Sequence, residues 1–326
     1  MKNENNMPEV ATFNYNIYTA DELLALKLPP REWFLYPLIP QKGISIICAE
    51  RGAGKTYFAL AIACAVASGF GFLNFTAETP RKVLYIDGEM DGSEIQERLN
   101  RLIVGFRTED KIVKTENLSL FCSDFQGDNP MPDLATQEGR ERLEQELEGV
   151  DLIIIDNVHF LYTAKDENSS GTWIDFNRWS REQRGKGRSV LWVHHTGKDP
   201  EKGGRGSSTI ETLMNASLTL IVPKDHRPEN GAFVFTKYTK MRGATGQSVR
   251  GIYTKLISCG ELNPVGEQMG LKWEKAEAPQ SEEIDDIINF LKEGKNAKEI
   301  VDITGASKTK VYEVRKRYKR AEKSKE

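Results

Sequence analysis

The sequence predicts a mixed α/β fold: a mostly parallel, twisted sheet flanked by helices and finished by antiparallel strands, then a small all-α unit. Three observations lead there. Short β-branched runs alternate with helical patterns through about residue 195, and three further strand patterns then follow one another. Composition next shifts at Ala276-Glu277-Ala278-Pro279-Gln280 to a tail of purely helical spacing. Strand–helix alternation implies right-handed crossovers, and hence parallel strands.

Residues 1–16 are polar, and the segment 1–18 is expected to be loosely held. Thr19, followed three places on by Glu22, makes a capping box, so a short helix opens the main domain, 19–275. Leu28 to Phe34 reads as extended, its Trp33 either packing on the core or stacking on a ligand ring. Ile44 to Ala49 is a buried strand running into a turn with Gly52 and Gly54, and an alanine-rich helix then reaches Ser68, where Gly69 stops it. Arg81 to Met90 is a strand whose carboxyl end carries Asp87 and Glu89. Ser93 to Val104 has helical spacing, with Ile95, Leu99, Leu102 and Ile103 on one face. A strand at Leu118–Cys122 and a helix at Gln137–Leu147 precede Asp151–Asn157, a continuous apolar strand of the kind covered on both faces. Thr172–Gln183 reads as a helix and Ser189–His195 as a strand, followed by a glycine- and charge-rich loop from Gly197 to Ser208. Ala216–Val222, Ala232–Thr239 and Gly251–Ile257 read as strands, the last two with hairpin character.

With 326 residues, 39% of them hydrophobic, the chain suits one large domain and a small appendage, 281–326, across a linker at 276–280. A net charge of −3 excludes a globally basic nucleic-acid binder, so any such contact must be local. Cys48, Cys64, Cys122 and Cys259 are widely separated and lack metal-ligand spacing, which points to reduced core residues in a cytoplasmic protein. No leader-like segment and no apolar stretch of ~20 residues is present, so no membrane partner is expected.

The chemistry concentrates at Ala49-Glu50-Arg51-Gly52-Ala53-Gly54-Lys55-Thr56 and the following Tyr57, which have the spacing of the Walker A motif with alanine in place of its first glycine. Gly52 and Gly54 let successive N–H groups turn inward, and the helix opening near Lys55 adds its positive dipole end. ATP is the expected occupant, with Lys55 reaching the outer phosphates and the Thr56 hydroxyl on a Mg2+ ion. Asp156, closing a strand about 100 residues later, fits the Walker B role of holding that ion. Glu89 could take the proton of the attacking water, with Asp87 as the competitor. Of His194 and His195 at most one should face the phosphate, since side chains alternate along a strand; His195 is the candidate, and a structural histidine is the alternative. Zinc is not indicated, because neither a cysteine nor a third spaced histidine lies nearby.

Taken together, Ala49 to Thr56, Asp87-Gly88-Glu89, Ile153 to Asp156 and Val193 to Lys198 resemble the RecA-like ATPases of the plasmid replicative helicase family commonly called RepA, over roughly residues 19–260. The resemblance implies a hexameric DNA helicase of a plasmid, phage or mobile element, with Glu89 as catalytic glutamate and the histidines as a γ-phosphate-sensing segment. It also implies that Lys240 and Arg242, two apart on an extended segment, are donated into the adjacent subunit's site; a solvated strand end is the alternative. Lys198, Lys202 and Arg205, set among glycines, are candidates for gripping single-stranded DNA in a ring's channel, or form a surface loop without partners.

In the tail, helical patterns at Ile284–Leu291, Ala297–Ile303 and Lys308–Tyr318 surround Thr304-Gly305-Ala306-Ser307, a tight turn in which Ser307 can cap the third helix. This is similar to the helix-turn-helix of resolvases, and Lys308, Lys310, Arg315 and Arg317 are its candidates for duplex DNA. A solvated helical cap is the alternative. Plasmid helicases of this kind do not need such a tail, which keeps a second function open: a regulatory ATPase that binds duplex DNA and uses nucleotide state as a switch.

Overall fold

The structure, a computed structural model, describes residues 16–157, 161, 170–195, 213–223, 226, 231–260, 269–278 and 282–322. The chain falls into two units divided between Glu32 and Trp33. In the first, the capping box forms as expected around α1 (Ala20–Ala25). The Thr19 hydroxyl accepts from the Glu22 N–H, and the Glu22 carboxylate accepts from the Thr19 N–H.

The second unit opens with a two-stranded ribbon, β1 (Trp33–Leu35) and β2 (Ile39–Pro40), where the sequence suggested only an extended run. Trp33 meets Tyr36 edge to face, with ring centroids 5.2 Å apart. Nine strands then form one sheet: β3 (Ile44–Ala49), β4 (Val83–Asp87), β5 (Leu118–Cys122), β6 (Leu152–Asp156), β7 (Ser189–His195), β8 (Ala216–Ile221), β9 (Phe233–Met241), β10 (Tyr253–Cys259) and β11 (Gly270–Ala276). Their order is β11-β10-β9-β8-β3-β7-β6-β4-β5. From β8 through β5 neighbouring strands run parallel, and β8 to β11 pair antiparallel.

The continuous apolar runs are explained by two cores, one on each face of the sheet. Along β6, Leu152 and Ile154 enter one cluster while Ile153 and Ile155 enter the other. The first cluster lies under α2 (Lys55–Ser68) and α3 (Gly92–Arg107). In α2 all residues but Thr56 and Tyr57 are buried, which is why its sequence is small and apolar all round. Gly69 ends it in a left-handed conformation, its N–H donating to the Ala65 carbonyl at 2.9 Å. On α3, Ile95 and Leu102 are buried and Leu99 and Ile103 pack against them, as their spacing predicts. The second cluster includes Leu143 of α4 (Gln137–Gln145) and Phe176 and Trp179 of α5 (Ser170–Gly185).

The sheet curls back on itself at its antiparallel edge. β11, which the sequence reading passed over, packs on α3 so closely that a Cβ on Gly105 would collide with the Leu271 carbonyl. Its Trp273 reaches Phe58 of α2, ring to ring at 5.2 Å. The period-two placing of Leu271 and Trp273 was the available signal.

The tail folds as α6 (Glu282–Lys292), α7 (Ala297–Thr304) and α8 (Lys308–Glu322) around a small core of Ile287, Ala297, Ile300, Ala306, Val311 and Val314. Left-handed Gly305 turns α7 into α8, and the Ser307 hydroxyl accepts from the Lys310 N–H at 3.3 Å. Among the described residues no helix is long and apolar enough to cross a membrane.

Candidate functional site

Parallel pairing brings the carboxyl ends of four strands side by side, the place where open α/β sheets bind ligands. Ala49 of β3 stands opposite His195 of β7, and Asp156 of β6 stands opposite Asp87 of β4. Beyond them opens a cleft of about 980 Å³, lined by Gly52, Gly54, Lys55, Thr56, Asp87, Glu89, Asp156 and His195. The glycine loop, the acids Asp87 and Glu89, Asp156 and His195 therefore line one cleft.

The loop after β3 needs its glycines for two different reasons. Gly52 (φ 79°) is held only by its left-handed backbone, with open space around it. Gly54 (φ 87°) is also confined, since a Cβ there would stand 2.8 Å from the Ala232 Cβ. Gly54 is the N-cap of α2, so the free amides and dipole of a largely buried helix point into the cleft. Lys55 is only 6% exposed. Burial pushes its ammonium pKa below the usual lysine range, and the carboxylates of Asp156 and Glu89 work against that shift.

Asp156 is nearly buried, and its Oδ2 accepts a hydrogen bond from the Tyr85 hydroxyl at 2.8 Å. Asp156 also lines the cleft. Burial and the neighbouring Asp156 carboxylate push the Tyr85 phenol pKa well above its usual value, so it stays a donor. Among the described residues no three His, Cys, Asp or Glu side chains stand together as a metal-binding group. A divalent ion here would need phosphate oxygens beside Thr56 and Asp156, which is how magnesium is usually held.

The two acids at the end of β4 are placed differently. Asp87 is 1% exposed and accepts from the Met90 N–H at 3.0 Å; burial pushes its carboxyl up to about 6. β4 ends there, so strand alternation does not extend to Glu89, which lies in the following turn with its side chain about half exposed. The Asn157 amide donates to Glu89 Oε2 at 2.6 Å and lies 3.3 Å from His195 Nε2, which is itself 3.8 Å from Glu89. His195 lines the cleft and His194 does not, as strand alternation requires.

Lys240 and Arg242 do not reach this cleft. Lys240 pairs with Ser217 at the end of β8 opposite the phosphate loop, about 13 Å away along the strand direction. β9 ends at Met241 after a bulge, so only Lys240 of the pair lies on the strand; Arg242 donates its N–H to the Asn215 carbonyl at 2.8 Å. Lys198, Lys202 and Arg205 lie outside the described residues. In α8, Lys308 and Arg317 are exposed, whereas Lys310 and Arg315 are half-buried.

Sequence reasoning missed Tyr85, Asn157 and the far wall of the cleft. A tyrosine inside an aliphatic strand was a signal, because a buried hydroxyl needs a partner. The far wall combines Arg98 and Arg101 of α3 with Leu256 and Ile257 of β10 and Leu271 of β11. Arg98 is ion-paired with Glu94 and stands over the Tyr57 ring at 5.0 Å. No local motif marks that wall, since it depends on the sheet curling back. The family model described as "AAA domain" matches residues 11–201, from before the ribbon to past the end of β7.

Proposed function

The chain belongs to the AAA domain family, and on that premise we propose that it is an ATP-driven DNA helicase of the RepA type, acting as a hexameric ring. The observation that supports this best is the meeting of the glycine loop, Asp156, Glu89 and His195 at the ends of adjacent parallel strands.

In this reading, the amides of residues 52–56 cradle the phosphates and Lys55 donates to the outer ones. Thr56 and Asp156 would hold a magnesium ion, which would supply positive charge against the negative charge of the phosphates. The Tyr85 hydroxyl, donating to Asp156 Oδ2, holds that carboxylate in place at the cleft. Glu89 takes the proton of the attacking water, held in place by Asn157. His195 lies beside Glu89 at the end of the strand leading to Lys198, Lys202 and Arg205, the candidates for single-stranded DNA. Lys240 and Arg242, remote from the chain's own cleft, suit a role in a neighbouring subunit's site.

A second reading is favoured by the tail, whose α8 is strongly basic: a duplex-binding regulatory ATPase in which nucleotide state acts as a switch. ATP turnover with and without single-stranded DNA, run beside strand displacement on a forked duplex, separates the two. Turnover stimulated by single strands together with displacement supports the motor. Binding to duplex alone, without displacement, eliminates it.

A further inference from the structure

The tail unit is electrically lopsided. Residues 282–304 hold seven acids and three bases, whereas Lys308–Glu322 holds seven bases and two acids. Any polyanion would therefore meet α8, and the core fixes which side of α8 it meets. Val311 and Val314 are buried and Tyr318 is half-buried, so they mark the inner face. At ~100° per residue, the line directly opposite runs through Thr309, Tyr312, Glu313, Lys316 and Arg320, and all five are exposed. Tyr312 is 61% exposed, although it is large and mostly apolar.

The bases are not spread evenly around this line. Lys308 and Lys319 flank it on one side, Arg317 and Lys310 on the other. Two cationic edges about one helix diameter apart, with a mixed stripe between them, match a helix lying in the major groove of duplex DNA. The edges meet the phosphate rows and the stripe meets the bases. Glu313 decides between reading and gripping. At the centre of a face that only gripped phosphates, a carboxylate would be repelled by the ligand. Against base edges it has a partner, the exocyclic amine of cytosine.

We infer that Thr309, Tyr312, Glu313 and Lys316 read base edges, so that the tail recognises a particular duplex sequence rather than duplex DNA in general. This rests on the DNA-binding reading of the tail. In it, Glu313 accepts from a cytosine amine, Lys316 donates to guanine, and the Tyr312 ring and Thr309 methyl pack on thymine methyls. Lys310 and Arg315, chosen from sequence for their charge alone, lie at the margin of the contact or behind it.

The test uses the full chain and a random-sequence duplex pool. Duplexes retained over several rounds are sequenced, and affinities for the enriched duplex and a scrambled one are measured across a salt series. Enrichment of one sequence is expected. Tyr312→Ala and Glu313→Gln should each weaken the enriched duplex about 5- to 150-fold, while leaving the scrambled duplex and the salt slope unchanged. Arg317→Ala should weaken both duplexes alike and lower the salt slope by about one. All three side chains are exposed, and unchanged ATP turnover without DNA verifies that each variant is folded. Duplex binding with no enriched sequence, or a Glu313→Gln variant that tightens both duplexes equally, overturns the inference while the DNA reading stands. Failure to bind any duplex, with capture of an acidic protein surface instead, overturns both.

Discussion

The nucleotide cleft and the outer face of α8 both concentrate charge, and they handle it in opposite ways. In the cleft, Lys55, Asp87 and Asp156 are almost wholly buried, and each acid has a named hydrogen-bond donor. On α8 the bases of the outer face stand in solvent. Buried charge is costly unless partnered, so the cleft is organised in advance for one kind of ligand and is little screened by salt. Solvated charge is weak and screened, so on α8 it sets attraction and orientation while any selectivity must come from the side chains between the cations. Nucleotide binding should therefore change little between low and high salt, whereas duplex binding should fall steeply.

The largest test of the cleft's half of that contrast is Lys55→Ala. The variant loses charge-assisted hydrogen bonds worth about 1.5–3 kcal/mol each, so ATP affinity should fall on the order of 10²- to 10⁴-fold, read with a fluorescent ATP analogue. Affinity within threefold of wild type would show that the buried ammonium faces something other than phosphate. Glu89→Gln comes next and separates binding from chemistry. The amide keeps the size and a hydrogen-bonding oxygen but cannot take a proton, so turnover should drop roughly 10²- to 10⁴-fold at unchanged ATP affinity. Full turnover in this variant would move the base to Asp87.

Tyr85→Phe is smaller and addresses the partner rather than the charge. Removing one hydroxyl leaves Asp156 Oδ2 without its buried donor, a loss of about 1–3 kcal/mol. The magnesium concentration needed for half-maximal nucleotide binding should rise roughly tenfold. A lowered melting temperature with an unshifted magnesium titration would mean that the hydroxyl only stabilises the fold.

How much of this could be read in the sequence follows the same division. The phosphate loop, the strand-end acids and His195 were legible, because Gly52, Gly54 and the runs at Ile44–Ala49 and Leu152–Asp156 encode backbone geometry within a few residues. The helix-turn-helix spacing was legible for the same reason. What lay hidden depended on distant pairings. Asn157 meets Glu89 across 68 positions, and β11 reaches α3 through the Gly105–Leu271 approach. On α8, charge was visible in the sequence but direction was not. Which bases face outward depends on where Val311 and Val314 are buried.

Glu144 lies between the two extremes and gives the finest test of the contrast. At the end of α4 it accepts from Arg188 at 2.7 Å, from Gln183 at 3.1 Å and from Lys186 at 3.0 Å, with its side chain 31% exposed. Burial works against its ionisation, but the bonds from Arg188, Gln183 and Lys186 outweigh it and hold the carboxyl below the usual glutamate range. A folded pKa below the unfolded one gives stability that is complete above the unfolded value and lost as pH falls through the folded value. Glu144→Gln should therefore lower stability by about 1 kcal/mol at pH 7, and wild type and variant should converge in acid as the wild-type carboxyl protonates. The gap at pH 7 should also narrow with added salt, though less than duplex binding weakens, because the cluster is only partly open to counterions. A gap of equal size at both pH extremes would assign the effect to packing and leave this carboxylate no electrostatic part in the fold.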